Sequence, residues 1–314
     1  MPNKRLKTQK EGILSKDRSP WTRNPKMLKI EGPFAILHGG LSDQLESRKI
    51  VLEALNDLGL VTQKFLKNSA LEIVLAGAEE LEKYPIFNAG FGAKLQRDGI
   101  PRLSASVMDG KTQRMAAVSN IVSIVHPSKI AAHLLDQSDR NLCGTEATRY
   151  AYSLGAKPYH LETEKRFEEW QTQSENFFGT IGCIAFDSNQ NTAACTSTGG
   201  RGFETPGRVS DSCSPAGNFS NEFGAVSCTG VGEEILEAAV ASSIITRLED
   251  GMDLEDATMK LLSRHHQKRF GFISLDCFGN ALVHATAGTI AFSLITKDRV
   301  YAGLSQEDWL QIKN

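Results

Sequence analysis

The sequence predicts an α+β fold, a large mixed sheet core in a layered sandwich with helices on the outside. Two observations carry this expectation. The run Phe270 to Asn280 repeats the rhythm of Ile181 to Asn191: an apolar strand, an Asp, a turn ending in Asn, then a second strand. Two antiparallel hairpins of one kind, with further strands before Thr180, make a large sheet core. Helical periodicities stand on both sides of Thr180, so helices cover the outer faces.

Taken in order, residues 1–29 are polar and basic and lack the apolar stretch of a signal peptide, so they predict a disordered tail ahead of a single domain over 30–314. Phe34-Ala35-Ile36-Leu37 is a short buried strand running into His38-Gly39-Gly40, where two glycines permit close backbone approach or positive φ. His38 is either a site residue or a satisfied structural histidine. Ser42 to Leu58 and Ala70 to Leu81 place apolar residues on shared helical faces, and Pro85 stops the second. Phe87-Asn88-Ala89-Gly90-Phe91-Gly92-Ala93 is a glycine-rich turn that no Rossmann helix follows, which argues against a nucleotide loop.

Leu103 to Gly110 and Ala116 to Ile124 read as neighbouring strands, Pro127 to Leu135 as a helix capped by Ser128, and Thr145 to Leu154 as another closed by Gly155. Tyr159 to Phe178 is charged, with no apolar period strong enough to dock it, and reads as an exposed connector. Arg201 to Asn221 is a loop rich in Gly, Pro and Ser. Ala225 to Gly232 is a strand ending in a turn, and Glu233 to Leu248 is one helix.

Composition excludes several functions. Hydrophobic residues make up 40%, charged residues 23%, and the net charge is −2, which gives no electrostatic reason for nucleic acid or membrane partners. No apolar run approaches the roughly 20 residues of a membrane helix. Six cysteines lack any CxxC pair and predict reduced, mostly buried thiols in a cytoplasmic protein. The seven histidines form no metal constellation, and His265-His266 suits a solvated helix end.

The chemistry centres on Gly179-Thr180. The residues themselves allow two readings. Thr180 opens an ordinary buried hairpin, or the chain is cut before it, giving one residue both a hydroxyl nucleophile and its own base. An α-amine titrates at about 7.7–8.0, low enough to accept the hydroxyl proton at neutral pH. The connector upstream supplies the accessible approach that a scissile bond needs. Downstream, Arg208 and Asp211 are either a surface ion pair or a zwitterion clamp, the guanidinium for a carboxylate and the carboxylate for an ammonium group.

Seven ordered motifs then bear on the choice: His38-Gly39-Gly40, Phe87 to Gly92, Ala105-Ser106-Val107-Met108-Asp109-Gly110, Gly179-Thr180-Ile181-Gly182, Thr196-Ser197-Thr198-Gly199-Gly200, Pro206-Gly207-Arg208-Val209 and Thr229-Gly230-Val231-Gly232-Glu233. Together they resemble the plant-type L-asparaginase/isoaspartyl peptidase family of N-terminal nucleophile hydrolases. The resemblance implies a four-layer αββα sandwich, cut into residues 1–179 and 180–314 that stay together as a heterodimer and pair as a dimer of heterodimers. It implies Thr180 as nucleophile, Thr198 as its hydrogen-bonding partner, Thr229 and Gly230 at the oxyanion hole, and Asn88 orienting the catalytic end. Arg208 and Asp211 would grip the substrate, a β-aspartyl dipeptide or asparagine.

No cofactor is expected for chemistry. The resemblance alone also implies a structural sodium or potassium ion on backbone carbonyls of Leu81, Glu82, Tyr84, Phe87, Ala89 and Phe91. Departures flank the clamp: Ser210 and Cys213 replace the family's usual glycine and proline, the loop from Asp211 to Thr229 is slightly short, and Ser104 replaces a common acidic residue. Rival readings are a glycosylasparaginase and a cleavage-incompetent relative that only binds. Thr198-Gly199-Gly200 argues against the first.

Overall fold

The computed structural model describes residues 25–42, 48–173 and 179–312. Before Thr180 the order is β1 (Leu28–Lys29), β2 (Phe34–Ser42), α1 (Arg48–Gln63), α2 (Ala70–Lys83), β3 (Leu103–Asp109), β4 (Arg114–Ile121), α3 (Pro127–Leu134), β5 (Asn141–Cys143), α4 (Gly144–Ser153) and α5 (Glu164–Gln171). After it come β6 (Ile181–Phe186), β7 (Thr192–Thr198), a 3-10 turn (Asp211–Cys213), β8 (Asn218–Asn221), β9 (Gly224–Gly230), α6 (Gly232–Ala238), α7 (Val240–Glu249) and α8 (Leu254–His265). The chain closes with β10 (Phe270–Asp276), β11 (Asn280–Ala285), β12 (Thr289–Thr296), β13 (Val300–Gly303) and α9 (Gln306–Leu310).

The strands form two sheets. One runs β13-β12-β2-β6-β7-β3-β4-β5, antiparallel except for β4 with β5, and the other runs β1-β11-β10-β9-β8. Alternation along β2 shows why both faces of the larger sheet are covered. Phe34 and Ile36 join Ile273 and Leu275 of β10 between the sheets, whereas Ala35 and Leu37 face Ile73 and Val74 of α2. On the outer side of the smaller sheet, Val226, Phe270 and Phe272 pack with Ile244 and Ile245 of α7 and Leu261 of α8. Each fully buried Ile, Leu or Phe contributes about 1.5–3 kcal/mol, so the three clusters bind the two sheets and their helices into one body.

The two similar hairpins have one physical cause. Asp187 Oδ1 accepts from the Asn189 and Asn191 amides, and Asp276 Oδ1 accepts from the Phe278 and Asn280 amides. In each the carboxylate substitutes for a main-chain acceptor and fixes the turn.

Several expectations are corrected. Of the expected tail over 1–29, Leu28 and Lys29 are ordered, because Leu28 is buried and β1 pairs with β11; residues 1–24 lie outside the described residues. Of the helix expected over Ser42 to Leu58, residues 43–47 lie outside them too; α1 runs on to Gln63. Ser128 is not a cap: Glu82 of α2 does that work, accepting from the Ser128 amide (3.1 Å) and hydroxyl (2.7 Å). The helix from Glu233 breaks at Ala239, which sits at φ 48° between α6 and α7. Residues 174–178 of the connector lie outside the described residues; the rest docks, with Leu161 buried in the core and polar bonds from α5. Buried Arg166 of α5 donates to the carbonyls of Gly92 (2.6 Å) and Ile86 (3.3 Å).

Among the described residues, all six cysteines are free, no helix is long and apolar enough to cross a membrane, and no His/Cys/Asp/Glu cluster suits a metal.

Candidate active site

Thr180 immediately precedes β6 and is buried. Its Oγ1 donates to Thr198 Oγ1 at 3.2 Å, and Thr198 Oγ1 in turn accepts from the Gly200 amide at 3.1 Å. The pairing of β6 with β7 places Ile181 opposite Ser197, so the two threonines face each other where the hairpin opens.

Glycines let the chain converge on this point. A Cβ on Gly40, which sits at φ +108°, would fall 2.7 Å from Gly179 Cα, and one on Gly179 would fall 2.6 Å from Asn88 Cβ. Asn88 then pins the surroundings. Its amide donates to the Gly179 carbonyl (3.2 Å), its Nδ2 to the Gly200 carbonyl (2.6 Å), its Oδ1 accepts from the Lys94 amide (2.8 Å) and its carbonyl from the Gly199 amide (2.8 Å). One side chain and its peptide thus fix the segment at Gly179, the end of β7 and the loop after α2.

Thr180 and Thr198 open onto a cavity of about 60 Å³, whose other walls include Arg208, Ser210, Asp211 and Gly230. A larger cavity of about 580 Å³, lined by Lys83, His126, Lys129 and Tyr159 among others, shares no residue with it and is lined by no Ser, Thr or Cys.

The two charged walls are not salt-bridged to each other among the described residues. Arg208 forms a bidentate ion pair with Glu233, Nε to Oε1 and Nη2 to Oε2, both 2.8 Å. Asp211 is 3% exposed; its Oδ1 accepts from Ser210 Oγ (3.1 Å), and its Oδ2 has no partner among the described residues. Burial pushes its pKa up to about 6, partly offset by the Ser210 hydroxyl and the nearby Arg208 charge. A Cβ on Gly232 would meet Arg208 Nη2 at 2.5 Å and Asp211 Oδ1 at 2.7 Å, so both charges crowd the start of α6. In the sequence Glu233 only ends a motif; nothing local marks it as the partner of a residue 25 positions earlier.

Other expected residues are placed as follows. Gly230 lines the cavity at φ +139°. Thr229 lies outside that lining, and its Oγ1 accepts from the Leu41 amide (3.1 Å), tying β9 to β2. His38 is buried beside Thr180: its Nε2 bonds Ser227 Oγ (2.9 Å), its Nδ1 has no partner among the described residues, and burial, partly offset by the Thr180 backbone, pushes its pKa down to about 3, so it stays neutral. In the loop expected to hold an alkali ion, the Leu81, Glu82 and Tyr84 carbonyls already accept from the Tyr84, Phe91 and Phe87 amides, and a Cβ on Gly92 would meet the Phe87 carbonyl at 2.5 Å.

Comparison with known proteins agrees with these motifs. A Synechocystis protein named isoaspartyl peptidase/L-asparaginase is 37% identical over 79% of this chain and 83% of its own length. A Pyrococcus horikoshii protein named plant-type L-asparaginase is 33% identical over 85% and 94%. A Salmonella typhimurium protein named isoaspartyl peptidase is 34% identical over 74% and 81%. The family model described as asparaginase matches residues 31–302, and the chain belongs to that family.

Proposed function

We propose that this protein is a threonine amidohydrolase that hydrolyses β-aspartyl dipeptides and L-asparagine after cutting itself before Thr180. The observation that carries the reading is Thr180 Oγ1, 3.2 Å from Thr198 Oγ1, at a cavity whose walls hold a guanidinium and a buried carboxylate. The family and the names of its curated members support hydrolase activity of this class.

In maturation, Thr180 Oγ attacks the Gly179 carbonyl carbon, and the C–N bond gives way to an ester while the amine is released. The Asn88 amide, already on the Gly179 carbonyl, is a donor to the oxygen that becomes negative. Water hydrolyses the ester and leaves residues 1–179 and 180–314 as two subunits of one domain.

In turnover, the freed Thr180 amine takes the hydroxyl proton as Oγ attacks the substrate β-carbonyl. Thr198 holds the hydroxyl, and donors near Thr229 and Gly230 receive the oxyanion. Ammonia or an amino acid leaves with the proton, and water then hydrolyses the β-aspartyl ester. Arg208 has five N–H donors, of which Glu233 occupies two, so its Nη1 edge is free for the substrate α-carboxylate. Asp211 Oδ2 receives the α-ammonium group.

The same reading gives the domain a four-layer αββα arrangement of the N-terminal nucleophile type, supported by helices packed outside two facing sheets. It gives a dimer of heterodimers, a cytoplasmic site of action, and an alkali ion on the loop after α2. Neutral carbonyls suit a hard cation of low charge, while the Arg166 guanidinium on the Ile86 and Gly92 carbonyls works against one at that side of the loop.

The test is direct. Purified protein on a denaturing gel should give two bands of about 19 and 15 kDa, as the chain lengths require. The same sample should release ammonia from asparagine and leucine from β-aspartyl-leucine. A persistent full-length band, or a fully cut sample inert towards both substrates, would overturn the proposal.

A further inference from the structure

A second cavity of about 180 Å³ adjoins the Thr180 cavity. Arg201 lines both, and the chain runs from Gly200 in one to Phe203 in the other. Its charged lining is Lys94, Arg97, Arg166, Arg201 and Glu169. Among the described residues the ion pair in this lining is Arg166 with Glu169, at 2.8 Å. Lys94, Arg97 and Arg201 therefore leave an excess of positive charge.

Two buried donors point into the same chemistry. Lys94 is 6% exposed, with its stem packed so closely on Gly202 that a Cβ there would meet Lys94 Cδ at 2.9 Å. Trp170, also in the lining, has a buried indole N–H with no partner among the described residues. Burying an ammonium group and an unpaired N–H costs free energy unless something accepts from them. Glu204, buried beneath the Arg201 amide that donates to its Oε1, offsets part of the lysine charge without pairing with it among the described residues. Arg97 lies 6.0 Å from the Phe203 ring centroid, so the wall also offers an aromatic face.

We infer that this cavity is a leaving-group subsite for an anionic residue released from a β-aspartyl peptide, with Arg201 taking its α-carboxylate and Lys94 with the Trp170 N–H taking a side-chain carboxylate. This rests on the proposed hydrolase reading and names its substrate class: β-aspartyl dipeptides with an acidic second residue, in preference to asparagine, whose ammonia cannot reach the subsite. The subsite is built from both sides of the cut, Lys94, Arg97 and Trp170 before Thr180 and Arg201 to Phe203 after it.

The experiment measures kcat/KM for β-aspartyl-glutamate, β-aspartyl-leucine and asparagine in the cleaved wild type, Lys94→Met, Lys94→Arg and Trp170→Phe. The wild type should favour β-aspartyl-glutamate over β-aspartyl-leucine. In Lys94→Met that preference should fall about ten-fold, the scale of one charge-assisted bond, with Lys94→Arg restoring most of it. Trp170→Phe, which removes only the N–H, should lower it about three-fold and serves where Lys94→Met fails to mature. Dipeptide turnover with a preference that none of these changes moves overturns the subsite and leaves the hydrolase reading standing. No turnover of any of the three substrates by cleaved wild type overturns both.

Discussion

The two ends of the Thr180 cavity are built on opposite principles. At the nucleophile end the polar groups are matched: Thr180 to Thr198, Thr198 to the Gly200 amide, and Asn88 to four separate partners. At the clamp end they are not. Among the described residues Asp211 is buried with one oxygen unpartnered, and Arg208 leans on a glutamate that is half exposed. The first end resembles ordinary well-packed interior. The second holds a buried carboxylate that the protein leaves only partly satisfied among the described residues, so it lowers stability in the free protein. Geometry is stored at one end and electrostatic imbalance at the other.

The comparison can be broken at several points. Thr180→Ala should abolish both cutting and turnover, a loss beyond about 10⁴-fold, read from the gel and from ammonia release. Asp211→Asn should reduce kcat/KM by about 10²–10³-fold, the scale of losing a buried charge pair with the ammonium group, yet raise stability at pH 7 by on the order of 2 kcal/mol. The sign follows from the direction of the shift. A pKa of about 6 in the folded state lies above the ordinary carboxylate value, so the folded state binds the proton more tightly. Stability from this group therefore rises as pH falls through the window from about 6 to about 4, and the ionised side chain is a cost above it. Denaturant melts of both proteins at pH 4 and pH 7 check this, and a variant less stable than wild type at pH 7 would refute the unsatisfied-clamp account.

For the wild type, kcat/KM should fall with acid in two stages, first as the Thr180 amine protonates and again below about pH 6 as Asp211 does, steepening the slope from one to two. Glu233→Gln should raise KM about three- to ten-fold with kcat unchanged, because Arg208 loses the bidentate partner that orients it; a lower KM would mean that Glu233 competes with substrate instead. Far from both ends, Ala239→Gly should stabilise the fold by about 0.5–1 kcal/mol in a thermal melt, since the φ of 48° suits glycine better than alanine.

What could be read in the sequence was whatever an apolar pattern or a turn residue enforces locally. Phe34 to Leu37, the start of α2 at Ala70 and both Asp-centred hairpins are of that kind. So was the grouping of Thr180, Thr198, Arg208 and Asp211, through ordered motifs. Features set by distant partners were not legible. The break at Ala239 carries no Gly or Pro, β8 is a polar strand inside a loop-like stretch, and α5 is held by Arg166 on main-chain carbonyls some 74 residues away. The Arg208–Glu233 pair likewise joins a loop to a helix start, and only the folded chain brings them together.

The strand order has a last consequence for how the molecule ages. In the larger sheet β2, from before Thr180, is hydrogen-bonded on one edge to β12 and on the other to β6, both from after it. A cut at Gly179-Thr180 therefore nicks a fabric whose two threads are already interwoven, and neither can leave without tearing out a central strand. The uncut chain finds this arrangement as a single molecule, at a rate independent of concentration. Once cut and then unfolded, the two pieces must meet again in solution, so reassembly becomes second order. Maturation would thus turn a renewable fold into one that is assembled once.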